Sequence, residues 1–128
     1  MPDVARCGRL RAAAAVLVCL ALGGCAGLAL FAANLPAYFG RYTRIRDVPY
    51  GQLPQQRLDV YTPQRAAPGA PIVVFWHGGR WTTGDKAEYR FVAAALCSLG
   101  YVAVLPNYRH YPQVKMAGFM QDAALAAA

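Results

Sequence analysis

The sequence is poor in the residue types that build most nucleophilic, metal and redox sites. Its 128 residues include two histidines and four cysteines, and Ser98 is the only serine. Cys7, Cys19 and Cys25 lie near the N-terminus, Cys97 stands alone in the body, and no C-x-x-C spacing occurs. This pattern does not support a disulfide framework, a zinc site or a dithiol motif. We therefore expect neither a metal nor a cofactor.

Acidic residues are also few, with six against 13 lysines and arginines and a net charge of +7. The basic residues are scattered singly and form neither the basic stripe nor the aromatic platform of a nucleic-acid-binding surface. There is no polar low-complexity tail, and 57% of the residues are hydrophobic. The composition therefore excludes a disordered polar chain and argues against a nucleic-acid partner.

Residues 1–40 are predicted to be a membrane-targeting segment ahead of a folded domain, residues 41–128. Arg6, Arg9 and Arg11 precede an apolar run, residues 12–33, and a basic start followed by an apolar stretch is the layout of an export signal. As a helix this run would be about 33 Å long, enough to cross a bilayer. It includes Leu22-Gly23-Gly24-Cys25, which resembles a bacterial lipobox and makes Cys25 a candidate lipidation residue.

Three interpretations of this segment stay open: an uncleaved signal anchor, a lipoprotein signal and a cleaved signal. The apolar residues that continue after Cys25 favour the anchor, whereas the lipobox favours lipidation. Arginines flank both sides of the run, so the positive-inside rule does not settle its orientation. We expect a membrane-attached chain that is exported across the bacterial inner membrane.

The body of the chain alternates between predicted strands and helices. Residues 57–61 predict a strand that ends at Thr62-Pro63, and residues 64–71 an exposed loop. The β-branched and aromatic run 72–76 predicts a strand buried on both faces, as in parallel sheets.

A helix is predicted next, from Asp85 as N-cap with Glu88 three residues on, to Gly100 as the stop. Its apolar face would hold Phe91, Val92 and Leu96. Residues 101–105 predict a second buried strand, and residues 114–128 a helix. The apolar positions of that last helix are Met116, Phe119, Met120 and Leu125. The strand–helix–strand–helix order predicts an α/β fold with a parallel sheet and a right-handed crossover.

The most informative stretch is His77-Gly78-Gly79-Arg80-Trp81, directly after the predicted strand 72–76. It stands at the carboxyl end of a buried strand, where open α/β sheets place their ligands. Glycines let the backbone turn sharply and present N–H groups to a cleft. Such groups can stabilise the oxyanion that develops in acyl transfer.

This stretch resembles the α/β-hydrolase superfamily, specifically esterases of the H-G-G-x-W type akin to kynurenine formamidases and hormone-sensitive-lipase-like carboxylesterases. The resemblance covers residues 47–128. Its other matching segments follow in order: Tyr50-Gly51 with Leu58-Asp59-Val60-Tyr61-Thr62-Pro63 as the family's opening hairpin, then Leu99-Gly100-Tyr101-Val102, Pro106-Asn107-Tyr108-Arg109, Pro112 and Asp122-Ala123.

The resemblance implies hydrolysis of a small-molecule carboxylic ester, or a related acyl bond, through a serine acyl-enzyme. Backbone amides of Gly78, Gly79 and Arg80 would form the oxyanion hole. His77 would brace the loop and Trp81 would pack over it beside the substrate, and neither would transfer a proton.

The chain departs from the family pattern at the nucleophile. The family's serine sits in a G-x-S-x-G elbow after a strand that would follow Ala128, and its acid and base come later still. Ser98 instead falls on a helix end, so no nucleophile is assigned here. We therefore expect an N-terminal piece of an esterase that is inactive alone. The alternatives are an inactive, membrane-attached binding module and a nucleotide-binding βαβ domain, for which no phosphate loop is found.

Three residues near the motif have plainer interpretations. Arg109 is predicted to be a structural ion-pair or capping residue, His110 a loop residue and Cys97 a buried small hydrophobe. In the family's sheet order, strand 72–76 lies between strand 101–105 and a strand missing from this chain. One edge of strand 72–76 would then be unpaired, which predicts aggregation or partial folding.

Overall fold

The structure, a computed structural model, describes residues 27–128. Residues 27–34 form a helix, α1. The three N-terminal arginines (Arg6, Arg9 and Arg11), residues 12–26 of the apolar run and the lipobox with Cys25 lie outside the described residues. Within residues 27–128, no helix has both the length and the apolar character needed to span a bilayer.

Residues Asn34–Ala128 form one compact unit around a four-stranded sheet. Its strands are β1 (Tyr42–Pro49), β2 (Arg57–Pro63), β3 (Ile72–Val74) and β4 (Val102–Pro106), and its helices are α2 (Arg90–Ser98) and α3 (Met116–Ala127). Short 3₁₀ turns cover Pro36–Phe39 and Lys86–Tyr89. The strand order in the sheet is β1-β2-β4-β3.

The sheet is mixed, so the prediction of a parallel sheet is right for one of its three strand pairings and wrong for the other two. β3 and β4 pair in parallel, as a βαβ unit requires, whereas β2 pairs antiparallel with both β1 and β4. The seven residues 50–56 join β1 to β2 as a hairpin, which makes the two strands antiparallel, because only a longer crossover can place sequential strands parallel. That hairpin is the one the resemblance implies.

β1 is the strand that the sequence pattern does not reveal. It is an edge strand with mostly exposed, polar side chains, and a bulge interrupts its pairing between Ile45 and Val48. Asp47, within the bulge, has a φ of 54°. A polar, charged edge strand of this kind lacks the apolar alternation on which strand prediction depends.

α2 begins and ends close to its predicted limits. Asp85 accepts a hydrogen bond from the Ala87 N–H at 2.8 Å, a 3₁₀ turn opens the helix, and Gly100 follows its end with a φ of 89°. α2 contributes Ala93 and Cys97 to the core cluster, in which the strands contribute Tyr61, Ala103 and Leu105. Cys97 is thus a buried small hydrophobe, as predicted. Phe91 and Val92 are only half-buried, because Ala93 and Cys97 face the sheet instead.

β3 and α3 are more exposed than predicted. β3 stops at Val74 rather than Trp76, and Ile72 is 66% exposed, so this strand is not buried on both faces. Of the four apolar positions predicted on α3, Phe119 alone is buried. The reason is that, within residues 27–128, β4 is the sole neighbour of β3 and nothing covers these apolar surfaces. The predicted unpaired edge of β3 is therefore present in the described part of the chain.

Candidate active site

The loop after β3 carries the H-G-G-x-W motif in an uncommon backbone conformation. Gly79, Arg80 and Trp81 have φ values of 133°, 53° and 65°. Bulky residues rarely adopt positive φ, and each instance costs about 1–3 kcal/mol unless the surroundings impose it. Strain of this kind is concentrated at functional sites, so the loop is the first candidate for one.

The carbonyl of Gly79 holds the loop in this shape. Its oxygen accepts hydrogen bonds from the N–H groups of Thr82 and Thr83, at 3.0 and 3.1 Å, and from both threonine hydroxyls at 3.2 Å. A Cβ on Gly79 would lie 1.9 Å from the carbonyl oxygen of Thr83, whereas one on Gly78 would meet only the Tyr89 hydroxyl at 3.4 Å. Glycine is therefore required at position 79 and not at position 78.

Three consecutive amides in this loop have no hydrogen-bond partner among the described residues. The N–H groups of Gly78, Gly79 and Arg80 donate to no other residue within the described range. All three residues border a cavity of about 260 Å³, whose lining comprises Trp76, His77, Gly78, Gly79, Arg80, Trp81 and Tyr108. Unpaired backbone donors at the rim of a small cavity are the chemistry that an oxyanion hole uses.

The His77 side chain is buried beside the loop. It is 3% exposed, and its ring stacks on Tyr108 and Tyr89 at centroid distances of 4.5 and 5.9 Å. Its Nδ1 lies 2.9 Å from the Gly78 carbonyl oxygen, to which it donates when the ring is protonated there. These contacts place His77 where it can support the loop.

The segment after β4 fastens the loop at two points. The Tyr108 hydroxyl donates to the His77 carbonyl at 2.7 Å, and the Tyr111 N–H donates to the Trp81 carbonyl at 2.8 Å. Burial raises the pKa of Tyr108, which keeps the hydroxyl protonated as a donor. The Trp81 ring stacks on Phe119 of α3 at 4.7 Å. Trp81 therefore packs beside the cavity and connects the loop to α3.

Asn107 secures the downstream end of the loop. Its side-chain oxygen accepts from the Lys86 N–H at 2.7 Å, and its amide donates to Asp85 at 2.8 Å. Burial acts to raise the pKa of Asp85, but hydrogen bonds from Ala87 and Asn107 outweigh it and hold the pKa below its usual value. Asp85 is therefore an ionised capping residue.

A buried ion cluster that the sequence does not reveal lies beyond this cap. Asp59 is fully buried and accepts from Lys86 at 2.8 Å and from Arg44 at 2.6 Å, while Lys86 also contacts Asp47 at 2.6 Å. Burial acts to raise the pKa of Asp59, but hydrogen bonds from Lys86, the Asp47 N–H and Arg44 lower it overall. No local sequence pattern predicts the cluster, because its members are far apart along the chain, on β1, on β2 and in the turn before α2.

A second buried carboxylate, Asp122, joins α3 to the rest of the unit. It is fully buried and bonds Arg109 through the backbone N–H at 3.0 Å and through the guanidinium at 2.7 Å. Gln56, in the hairpin turn, donates to it at 2.8 Å. Burial opposes ionisation of Asp122, but the bonds from Arg109 and Gln56 hold its pKa below the usual value. The predicted structural role of Arg109 is confirmed.

His110 is a loop residue, as predicted, and its ring lies 5.9 Å from that of His77. Burial and the neighbouring His77 lower the pKa of His110. The Nε2 atoms of both rings are buried without a hydrogen-bond partner among the described residues. No group of three or more histidine, cysteine or acidic residues in residues 27–128 is arranged to hold a metal ion.

The single serine is not brought to the loop. Ser98 ends α2, its hydroxyl donates to the Ala95 carbonyl at 2.7 Å, and it borders a different cavity, of about 490 Å³. Cys97 borders that same cavity, and burial raises the pKa of its thiol, which disfavours a reactive thiolate. Neither residue lines the cavity beside the motif.

Known proteins share this arrangement of sequence and fold. The sequence profile of the BD-FAE family matches residues 58–128. A kynurenine formamidase from Danio rerio is 39% identical over 72 residues, which are 56% of this chain and 25% of that protein. An isoprenylcysteine alpha-carbonyl methylesterase from Arabidopsis thaliana is 32% identical over 87 residues, 68% of this chain and 20% of that protein.

A solved structure agrees with the sequence matches. The crystal structure of esterase B from Lactobacillus rhamnosis superimposes with a TM-score of 0.65 at 28% identity, over 84% of this chain and 37% of that one. The chain spans a quarter or less of the length of the kynurenine formamidase and the methylesterase. Since the family profile covers more than half of the chain and includes the whole motif loop, the chain belongs to the BD-FAE family of α/β-hydrolase esterases.

Proposed function

We propose that this chain supplies the oxyanion hole of a carboxylic ester hydrolase that works through a serine acyl-enzyme. The observation that carries the proposal is the set of unpaired N–H groups of Gly78, Gly79 and Arg80 at the rim of the 260 Å³ cavity. They follow β3, which pairs in parallel with β4, so they stand at the carboxyl end where α/β sheets act on their ligands.

The chemistry follows from the charge that the amides can stabilise. A serine oxygen adds to the ester carbonyl carbon, and the carbonyl oxygen becomes an anion that accepts hydrogen bonds from these N–H groups. A general base takes the serine proton and returns it to the departing oxygen, so collapse of the intermediate expels the alcohol, and water then hydrolyses the acyl-enzyme to the free acid and the serine. The Gly79 carbonyl, Tyr108 and Tyr111 already hold the loop in place, so little reorganisation accompanies the reaction. Ser98 is too far along α2, in a different cavity, to be that nucleophile.

The decisive experiment reads the source DNA downstream of codon 128 in all three frames. A G-x-S-x-G elbow followed by aspartate and histidine codons would support the proposal. An authentic stop with no elbow in any frame would overturn it in favour of an inactive binding module. In that second case the loop would bind a ligand without cleaving it.

The activity of the 128-residue chain gives a separate prediction. We expect no hydrolysis of a short-chain nitrophenyl ester above the buffer rate, because the described residues place no nucleophile beside the amides. The measurement is release of nitrophenolate with and without a serine-directed phosphonate. A burst of product that titrates with the phosphonate would contradict this expectation.

A further inference from the structure

The turn that joins α1 to β1 presents three large apolar side chains to solvent. Leu35, Tyr38 and Phe39, in and just before the 3₁₀ turn Pro36–Phe39, are 48%, 60% and 88% exposed. A contiguous group of exposed apolar side chains marks an interaction site, whereas single ones need no explanation. We call these three residues the apolar turn.

The fold holds the apolar turn in place. Ala37 is buried beneath it, and its carbonyl accepts a hydrogen bond from the Tyr42 hydroxyl. Arg90 donates to that same hydroxyl through Nε at 2.7 Å, and its guanidinium carbon lies 4.3 Å from the centroid of the Tyr38 ring. Because these contacts lie within the unit Asn34–Ala128, the exposure of the apolar turn is a property of the folded unit.

Positive charge flanks the apolar turn. Arg41 follows Phe39 by two positions, and a hydrogen bond of 3.1 Å from the Gln64 N–H to the Arg41 carbonyl places Arg65 beside it. Both arginines are exposed, and neither is part of a salt bridge within residues 27–128. Residues 34–46 and 60–84 contain no aspartate or glutamate. Exposed apolar side chains next to basic ones suit the surface of an anionic bilayer.

The path of the chain places the apolar turn near the predicted membrane segment. The apolar run ends at residue 33, and the next residue, Asn34, is buried. Asn34 donates to the Glu88 carbonyl at 2.7 Å and accepts from the Phe91 N–H at 3.0 Å, so it is fixed to the start of α2. If the run spans a bilayer, the folded unit therefore begins in the headgroup layer, which is roughly 5–8 Å thick on each side.

Attachment through a lipid leads to the same position. Residues 26–33 alone separate Cys25, the candidate lipidation residue, from Asn34. Residues 27–34 are helical, and a helix of that length rises about 12 Å. Neither mode of attachment leaves a long polar tether that would hold the unit away from the membrane.

We propose that the apolar turn, with Arg41 and Arg65 beside it, docks on the surface of an anionic lipid bilayer. The rings lie at the level of the headgroups, and the arginines face the lipid phosphates. Docking holds the folded unit in one orientation on the membrane, whereas attachment alone would leave it free to rotate. The inference rests on the proposed attachment of run 12–33 and is independent of ester hydrolysis.

Photocrosslinking of the full chain tests the contact. The chain is bound to vesicles of phosphatidylcholine, with or without phosphatidylglycerol, and Phe39 is replaced by p-benzoylphenylalanine. The control carries the same replacement at Ile72, which is 66% exposed on β3, at the opposite edge of the sheet from β1. Exposed positions tolerate such a change. We expect irradiation to give a lipid adduct at position 39, increased by phosphatidylglycerol, and little adduct at position 72.

A charge variant tests the electrostatic part of the surface. We expect Arg41→Gln to lower the ratio of docked to undocked chain by about fivefold on vesicles with phosphatidylglycerol, and little without it. Lys115→Gln removes one positive charge at an exposed position before α3 and should keep the yield of adduct at position 39. In about 0.5 M sodium chloride the effect of phosphatidylglycerol should shrink.

Flotation with the vesicles separates the two levels of the inference. A chain that does not float would overturn attachment and docking together. A chain that floats but gives no lipid adduct at position 39, or equal adduct at positions 39 and 72, would overturn docking alone. An adduct with residues 1–33, or with a second copy of the chain, would also overturn it, because another surface would then cover the turn. None of these results bears on the esterase assay.

Discussion

At the residue scale, Gly79 of the motif loop is the position where a side chain has the least room. We expect Gly79→Ala to lower the free energy of unfolding by about 2–3 kcal/mol, because the new methyl would overlap the Thr83 carbonyl. Gly69→Ala is the control, since Gly69 also has a positive φ, 75°, but open space around it. That variant should lose only about 1 kcal/mol. Denaturant titration measures both, and equal losses would contradict the proposed steric requirement.

A second prediction at this scale concerns the buried ion cluster. Lys86→Met leaves Asp59 buried with Arg44 as its remaining cation, and we expect a loss of about 2–3 kcal/mol in unfolding free energy. Lys115→Met, at an exposed position, should change stability by less than about 0.5 kcal/mol. Chemical denaturation at neutral pH compares the two. Similar small effects in both would show that Lys86 contributes little.

The direction of the aspartate pKa shifts sets the response of stability to acid. The pKa values of Asp59, Asp85 and Asp122 are lowered in the folded state. Their stabilising contribution is complete above the ordinary aspartate pKa of about 3.9 and disappears as pH falls through the lower folded values. We expect the denaturation midpoint to begin falling as pH drops through about 6.5, where burial disfavours protonated His110, and to fall further below about pH 4 as the aspartates protonate. A midpoint that rises on acidification would contradict this sign.

At the scale of elements, the two edge strands of the sheet differ in their protection. β1 carries Arg44, Arg46 and a bulge, which are devices that discourage edge-to-edge pairing, whereas β3 is short, apolar and uncharged. We therefore expect the chain to self-associate through β3 and the exposed apolar face of α3, and not through β1.

A pair of matched substitutions tests this expectation. Ile72 on β3 and Ile45 on β1 are 66% and 61% exposed, so a lysine at either position should change stability by less than about 0.5 kcal/mol. Ile72→Lys should markedly raise the concentration at which the chain aggregates, while Ile45→Lys should raise it little. Light scattering against concentration gives the answer, and equal effects would argue against β3 as the associating edge.

At the scale of the whole molecule, we propose that the apolar run 12–33, within the predicted targeting segment 1–40, exports the chain and holds it in a membrane, while Asn34 and the residues after it belong to the folded unit. The expected result is recovery of the chain, produced in a bacterial host, in the membrane fraction, released by detergent and not by salt. Recovery in the soluble fraction would contradict the proposal. Cys25→Ala then separates the two modes of attachment: loss of incorporated lipid label identifies a lipoprotein, with Cys19→Ala as the control. An unlabelled chain that still sediments with the membrane identifies an anchor.

The sequence alone determined the family, the motif loop and the approximate limits of α2, β2 and β4. Local signals were sufficient for these because a capping aspartate, a terminating glycine or a buried apolar strand acts within a few residues. The structural role of Arg109 and the burial of Cys97 were also predictable, since each follows from ordinary residue chemistry.

Only the tertiary structure decided the limits and the bulge of β1, the antiparallel pairing of β2 with β4 and the exposure of β3 and α3. These depend on which elements meet, and the polar edge strand β1 carries no periodic apolar signal. The same holds for the cluster around Asp59 and for the contacts of Tyr108 and Tyr111 with the loop. Their partners are far apart along the chain, and a buried carboxylate is stable only where folding brings the cations to it.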